Sequence, residues 1–205
     1  DYLKIVASSE NSFRKEQSWE DKFVVMYSGN HSLVHPLDTI LDAAKLLKDD
    51  PRFVFVFIGG GRGKQIVDAR LRAQSSAASN IISLPYQPLD QICFSLSAAD
   101  IHVVSLGHEM SGIVHPCKIY GALSIGRPVL TLGPEESYLR DITGENEVGW
   151  SIRHGDVDSA VAALKKAVDQ THKEREDMGL RAQQIATKKF DRGQLVEQFL
   201  NTIFR

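Results

Sequence analysis

Apolar residues along this chain fall into two kinds of run. Some are nearly continuous: Phe23 to Ser28, Phe53 to Ile58, Asn80 to Leu84, Ile101 to Val104, Pro128 to Leu132 and Val148 to Ile152. Short apolar runs bounded by glycine or proline suit strands buried on both faces, as in a parallel sheet. Other apolar residues recur at helical spacing. Pro36 opens a helix whose stripe is Leu37, Ile40, Leu41, Ala44 and Leu47, and Pro51 follows its end. The same spacing predicts helices over Lys64–Ser76, Leu89–Ala99, Cys117–Ser124, Val157–Val168, Lys173–Lys188 and Gln194–Phe204. Strands separated by helices imply a doubly wound α/β domain with a parallel sheet and right-handed crossovers. Ligands of such sheets sit beyond the carboxyl ends of the strands, near the switch in strand order. The loops to inspect are therefore 29–36, 59–65, 85–88, 105–116 and 133–137.

Composition narrows the class without naming a function. The 205 residues carry 24 Lys+Arg against 26 Asp+Glu, a formal charge of -2, so no basic excess points to nucleic acid. No apolar run reaches the ~20 residues that span a bilayer. Two cysteines, Cys93 and Cys117, make no disulfide framework, and a reducing, cytoplasmic setting is expected. Residues 1–22 are polar and weakly periodic and read as a linker. The chain, which starts at Asp1 with no signal-peptide pattern, is expected to be a piece of a longer protein.

Two loops carry candidate chemistry. Gly59-Gly60-Gly61-Arg62-Gly63-Lys64 lies between a strand and a helix, where glycines let backbone N–H groups approach a phosphate. A dinucleotide fingerprint from Gly59 needs glycine at 64, which is Lys64. A P-loop needs glycine at 58 and a hydroxyl at 65, which are Ile58 and Gln65. The alternative is a plain tight turn with solvated Arg62 and Lys64. After the fourth strand, Ser105 to Gly112 holds an imidazole, a carboxylate and a hydroxyl, and leads to Pro116-Cys117-Lys118 at a helix start. N–H groups of that turn, with Lys118 beside them, could hold a diphosphate; in the bland reading Lys118 and Glu109 are merely solvated.

From Phe23 to about Phe190 the order of segments resembles the nucleotide-sugar-binding half of GT-B glycosyltransferases. It is most similar to the group-one, family-four retaining enzymes that build bacterial surface polysaccharides. The residues that carry the resemblance are Tyr27-Ser28-Gly29-Asn30 with His35, Phe57 to Gly61, Leu84-Pro85-Tyr86, Ser97 to Val103, and Pro116 to Val129. The resemblance implies a Rossmann-like donor-binding domain over 23–190, a linker over 1–22 and a C-terminal crossover helix over 191–205. It also implies a missing N-terminal acceptor domain, through which peripheral contact with the inner membrane face is an option. By position, Gly29, Asn30 and His35 would approach the diphosphate or sugar. Gly60, Gly61, Arg62 and Lys64 would neighbour the phosphates, and Tyr86 the base. Gly112 to Pro116 would wrap the donor, with Ser111 among the donor-binding residues. Glu109 would hold sugar hydroxyls, and Lys118 would face the phosphates; these two are the expected catalytic residues. The partner implied is a nucleotide sugar, with no cofactor, no metal and no nucleic acid.

The chain departs from the family pattern in two places. Asn30 and His35 stand where an arginine and a lysine for the diphosphate are usual. Gly121 aligns with the second glutamate, which normally grips the ribose. A degenerate, non-catalytic nucleotide-sugar-binding or scaffold module and a nucleotide-sugar epimerase therefore stand as alternatives. A receiver-like signalling domain is disfavoured, because Met26 to Asn30 lacks an acidic cluster. Elsewhere, Asp156-Val157-Asp158 reads as a helix cap rather than a metal-binding string. His108 and His115 lack ligand spacing. His102 reads as structural, and no partner base for a Cys117 nucleophile is evident.

Overall fold

The computed structural model describes residues 3–73 and 79–204. Its six strands are β1 (Phe23–Ser28), β2 (Phe53–Ile58), β3 (Ile81–Leu84), β4 (Ile101–Ser105), β5 (Val129–Leu132) and β6 (Gly149–Ile152). They form one sheet in the order β3-β2-β1-β4-β5-β6, and every pair is parallel. The helices are α1 (Ser12–Glu16), α2 (Asp38–Leu46), α3 (Lys64–Ala73), α4 (Ile92–Ser97), α5 (Lys118–Ser124), α6 (Tyr138–Asn146), α7 (Val157–Asp169), α8 (His172–Lys189) and α9 (Arg192–Ile203). Residues 74–76 of the expected Lys64–Ser76 helix lie outside the described residues. The expected α/β fold with a doubly wound parallel sheet is what forms, and its switch point falls between β1 and β4.

Alternation along the central strands divides the core in two. Val25 and Tyr27 of β1 and Phe55 and Phe57 of β2 face one side, packed with Ile40, Leu41 and Ala44 of α2 and Ala160 and Leu164 of α7. Val24 and Met26, with Val54, Val56 and Ile58, face the other, under Ala98 and Ala99. On that second side Val104 and Leu106 meet Ile119 and Leu123 of α5, Leu139 of α6 and Ala182 of α8. Burial on both faces is why β1 and β2 read as unbroken apolar runs. Helix ends follow local chemistry. Asp156 accepts from the Ser159 N–H at 3.1 Å, so the DxD string does cap α7. Thr171 and Glu174 form a capping box on α8.

The polar first segment, read as a linker, is packed from α1 onward. Phe13 and Trp19 are 5% and 2% exposed, meet edge to face at 5.8 Å and sit under Val24 and Met26. Between them Arg14, 3% exposed, pairs with Asp100 at 3.0 Å and donates to the carbonyls of Ala98, Trp19 and Lys22. Asp100 also accepts from the Val24 N–H at 2.8 Å, so the pair ties this segment to the start of β1. α6 was not expected; its amphipathic signal rests on little more than Leu139 and Ile142.

Arg14→Ala strands Asp100 and three carbonyls in a desolvated site. It is expected to lower stability by about 3–5 kcal/mol and Tm by roughly 6–20 °C. Thermal denaturation checks this. An unchanged Tm would mean that the Arg14–Asp100 pair contributes nothing to the domain.

Candidate functional site

Two backbone turns cross where β1 and β2 end. Gly29 follows β1 at φ +121° and Gly59 follows β2 at φ +128°, both in the left-handed region that favours glycine. A Cβ on Gly59 would lie 2.1 Å from the Gly29 oxygen, so the turns touch main chain to main chain. Backbone bonds lock the crossing: His31 N–H donates to Gly60 O and Gly63 N–H to His31 O, both at 2.7 Å. The Asn30 side chain lies over Gly61. The Tyr86 ring covers Gly59 and Gly60, 3.3 and 3.1 Å from where their Cβ atoms would be.

Lys118, the first residue of α5, reaches this crossing from the β4 side. Its Cε lies 2.9 Å from where a Gly29 Cβ would be, and its Nζ sits 5.2 Å from the centre of the Tyr27 ring. Burial lowers its pKa. Among the described residues no carboxylate or carbonyl pairs with this ammonium; its recorded polar partner is the Tyr27 π-face. A cavity of about 280 Å³ opens beside it, bounded by Gly29, Tyr86, Gln87, His102, Lys118 and Gly121 among others. It lies at the switch point, where the strand order predicts a ligand.

The surroundings are cationic or neutral. His31, 0% exposed, meets the Gly29 oxygen through Nδ1 at 3.0 Å, so Nδ1 carries the proton and Nε2 is left buried without a partner. Burial, with Lys64 and Lys118 nearby, pushes its pKa down to about 4. His35 is likewise buried, with Nδ1 unpartnered, and burial and Lys118 lower its pKa. Tyr27 donates to the Asn30 oxygen at 3.0 Å, and burial raises its pKa.

Gly29, Tyr86 and Lys118 thus share one cavity wall, with Asn30, Gly60 and Gly61 adjoining. Other candidates lie apart. Lys64 folds back, and its Nζ donates to the Phe57 and Leu84 carbonyls at 2.6 and 2.7 Å; it braces the ends of β2 and β3 in place of facing outward. Arg62 is exposed and lines a separate, open depression with Leu33 and Ile66. Glu109 is exposed in a single 3-10 turn, His108–Met110, and does not line the cavity. The Ser111 hydroxyl donates to the Glu136 carbonyl at 3.0 Å. Gly112, at φ +76°, is exposed beside it. His31 was missed because nothing in a Gly-Asn-His string says that its ring turns inward.

A family model described as glycosyl transferases group 1 matches residues 8–185. The chain belongs to this family. Among curated relatives, a probable glycosyltransferase of Pseudomonas aeruginosa, WbjE, is 27% identical over 153 residues, covering 74% of this chain and 36% of that protein. A putative colanic acid biosynthesis glycosyl transferase of Escherichia coli, WcaI, is 25% identical over 187 residues, covering 90% and 44%. The chain therefore spans less than half of these group 1 relatives. Among solved structures, Anabaena Alr3699/HepE in complex with UDP and glucose superposes with a TM-score of 0.77 at 19% identity, over 98% of this chain and 53% of that one. The C-terminal domain of a Francisella tularensis group 1 protein, LpcC, gives 0.70 at 14% identity, over 93% and 97%. These likenesses establish the fold as one half of a GT-B architecture. No helix among the described residues is long and apolar enough to cross a membrane.

His31 and His102 both have pKa values pushed by burial down to about 4. The unfolded chain takes up these protons near the ordinary histidine value of about 6.5, while the folded one does not until about 4. Stability conferred by the neutral rings is therefore complete above that window and lost as pH falls through it. Denaturant unfolding from pH 7 to 4 should show this decline, and His31→Asn should flatten it. An unchanged slope in that variant would place the His31 proton elsewhere.

Proposed function

We propose that this chain is the donor-binding half of a glycosyltransferase that moves a sugar from a nucleoside diphosphate sugar to a glycan or lipid-linked acceptor. The observation that carries this reading is Lys118: a half-buried ammonium with no anionic partner, laid across the Gly29 turn at the carboxyl edge of the sheet. A buried cation without a counter-ion is costly and is relieved by an anion brought from solution. UDP in the HepE complex, and the colanic acid biosynthesis role in the name of WcaI, support a nucleotide sugar as that anion.

In transfer, the bond from the anomeric carbon to the β-phosphate oxygen breaks and its electron pair passes to the diphosphate. The acceptor oxygen bonds to the carbon, and its proton passes to the departing diphosphate. Charge grows on the leaving group, so a preorganised ammonium and backbone N–H groups lower the barrier by meeting it there. Lys118, with backbone around Gly29 and Gly60, would serve that charge. Tyr86 offers its ring near the base. Glu109, on an exposed loop, would reach sugar hydroxyls only once the donor is seated. The acceptor would bind on a second half of the protein. Leu195, Phe199, Leu200, Ile203 and Phe204 on α9 and just past it are 44% to 80% exposed and give that half an apolar face to cover.

A non-catalytic, nucleotide-binding reading is favoured by Gly121, which stands on the cavity wall where the resemblance calls for a ribose-gripping glutamate. A Cβ there meets nothing within 4 Å, so the position can take a side chain.

Calorimetric titration with UDP is expected to show binding that Lys118→Ala weakens about ten- to a hundredfold, the worth of a charge-assisted bond of ~1.5–3 kcal/mol. Gly121→Glu is expected to tighten it. Equal affinity in Lys118→Ala and the parent would overturn the reading. Turnover of a donor by the longer protein separates a transferase from a binding module.

A further inference from the structure

The loop that joins β4 to α5, residues 106–117, is held by an aromatic stack that neither the site nor the fold explains. The His115 ring lies flat on Tyr138 of α6, with centroids 3.9 Å apart and planes at 14°. At its Nε2 edge is Tyr120 of α5, with ring centroids 5.3 Å apart and planes at 21°, whose hydroxyl hydrogen-bonds His115 Nε2. Tyr120 in turn meets Phe190 edge-on at 4.8 Å. Phe190 caps the end of α8, one residue before the cap of α9. Four rings thus run from the loop to the junction between the last two helices. Met110 and Val114 pack into the core beneath, and Gly107 N–H donates to Val34 O at 2.8 Å. Ordinary surface histidines have no such setting, since the imidazole here is exposed yet stacked on one tyrosine and hydrogen-bonded at its edge by a second.

We propose that His115 is a positioning residue: clamped between Tyr138 and Tyr120, it holds the 106–117 loop beside the donor cavity and, through Phe190, ties the loop's placement to the α8–α9 junction. This rests on the donor reading above for its purpose, while the clamp itself rests on ring geometry alone. Glu109, Ser111 and Gly112 ride on the clamped loop, and Lys118 follows it directly. Movement of α9 against any covering surface would pass through Phe190 and Tyr120 to the segment that flanks the diphosphate.

Cys117 supplies the readout. It is exposed, and its Sγ donates to the His115 carbonyl at 3.5 Å, so its reactivity reports whether the loop is held. In the full 205-residue chain on a Cys93→Ser background, thiol labelling by a disulfide reagent is followed together with UDP affinity. His115→Ala is expected to speed labelling about fivefold and to weaken UDP about three- to tenfold, with Tm nearly unchanged. His115→Phe, which keeps a flat ring, is expected to restore both within about twofold. Phe190→Ala is expected to speed labelling as well. Unchanged labelling in His115→Ala, or a Phe190→Ala rate equal to the parent's, overturns the clamp. Faster labelling with unaltered UDP affinity overturns the positioning role. If the parent binds no UDP, the donor reading and the positioning role fall together, while labelling still decides the clamp.

Discussion

The arrangement depends on the contact between the backbone at Gly29 and the backbone at Gly59. A methyl group on Gly59 would stand 2.1 Å from the Gly29 oxygen, so this approach tolerates no side chain there. It brings the first two β–α turns together at the centre of the sheet, beside the β1–β4 switch point. Once they touch, the His31 backbone can bridge both, and its ring fills the space beneath against Tyr27, with centroids 4.7 Å apart. The same bare surface lets Lys118 lie across Gly29 and Tyr86 lie across Gly59 and Gly60. Glycine here creates a flat floor as well as a turn.

Electrostatics then separates two lysines that look equivalent. Lys64 is held by two carbonyls and completes the strand ends, so its charge is already solvated by the protein. Lys118 has an aromatic face and, among the described residues, no anion. Burial lowers the pKa of both, yet only Lys118 has a reason to gain from an incoming diphosphate. His31 and His35, held neutral by burial, add no charge, and Glu109 stays outside the cavity. A site poised this way favours an anion over a neutral sugar and leaves specificity to other parts of the donor.

The strands were legible because burial on both faces writes an unbroken apolar run, as in Phe53 to Ile58. Helices with a full stripe, such as α2 and α7, were legible for the converse reason. α1 was not: its five residues, Ser12 to Glu16, include one apolar side chain, and it is held by Arg14 reaching Ala98 and Asp100 far along the chain. Within the site, Gly29 and Lys118 could be placed from loop position alone, because topology dictates where those loops go. The direction of a long side chain could not. Lys64 and Arg62, two residues apart on one loop, end on different business because each follows local packing. The stack of His115 on Tyr138 joins residues 23 positions apart in sequence and left no periodic trace.

The central claim is that a diphosphate binds between the Gly29 turn and the Lys118 ammonium. A crystal structure of the chain soaked with UDP tests it most directly. The account predicts diphosphate oxygens within hydrogen-bond reach, about 2.7–3.2 Å, of Lys118 Nζ and of backbone N–H groups at Gly29 or Gly60, with the uracil toward Tyr86. UDP seated in the open depression beside Arg62, with Lys118 still resting on Tyr27, would contradict it.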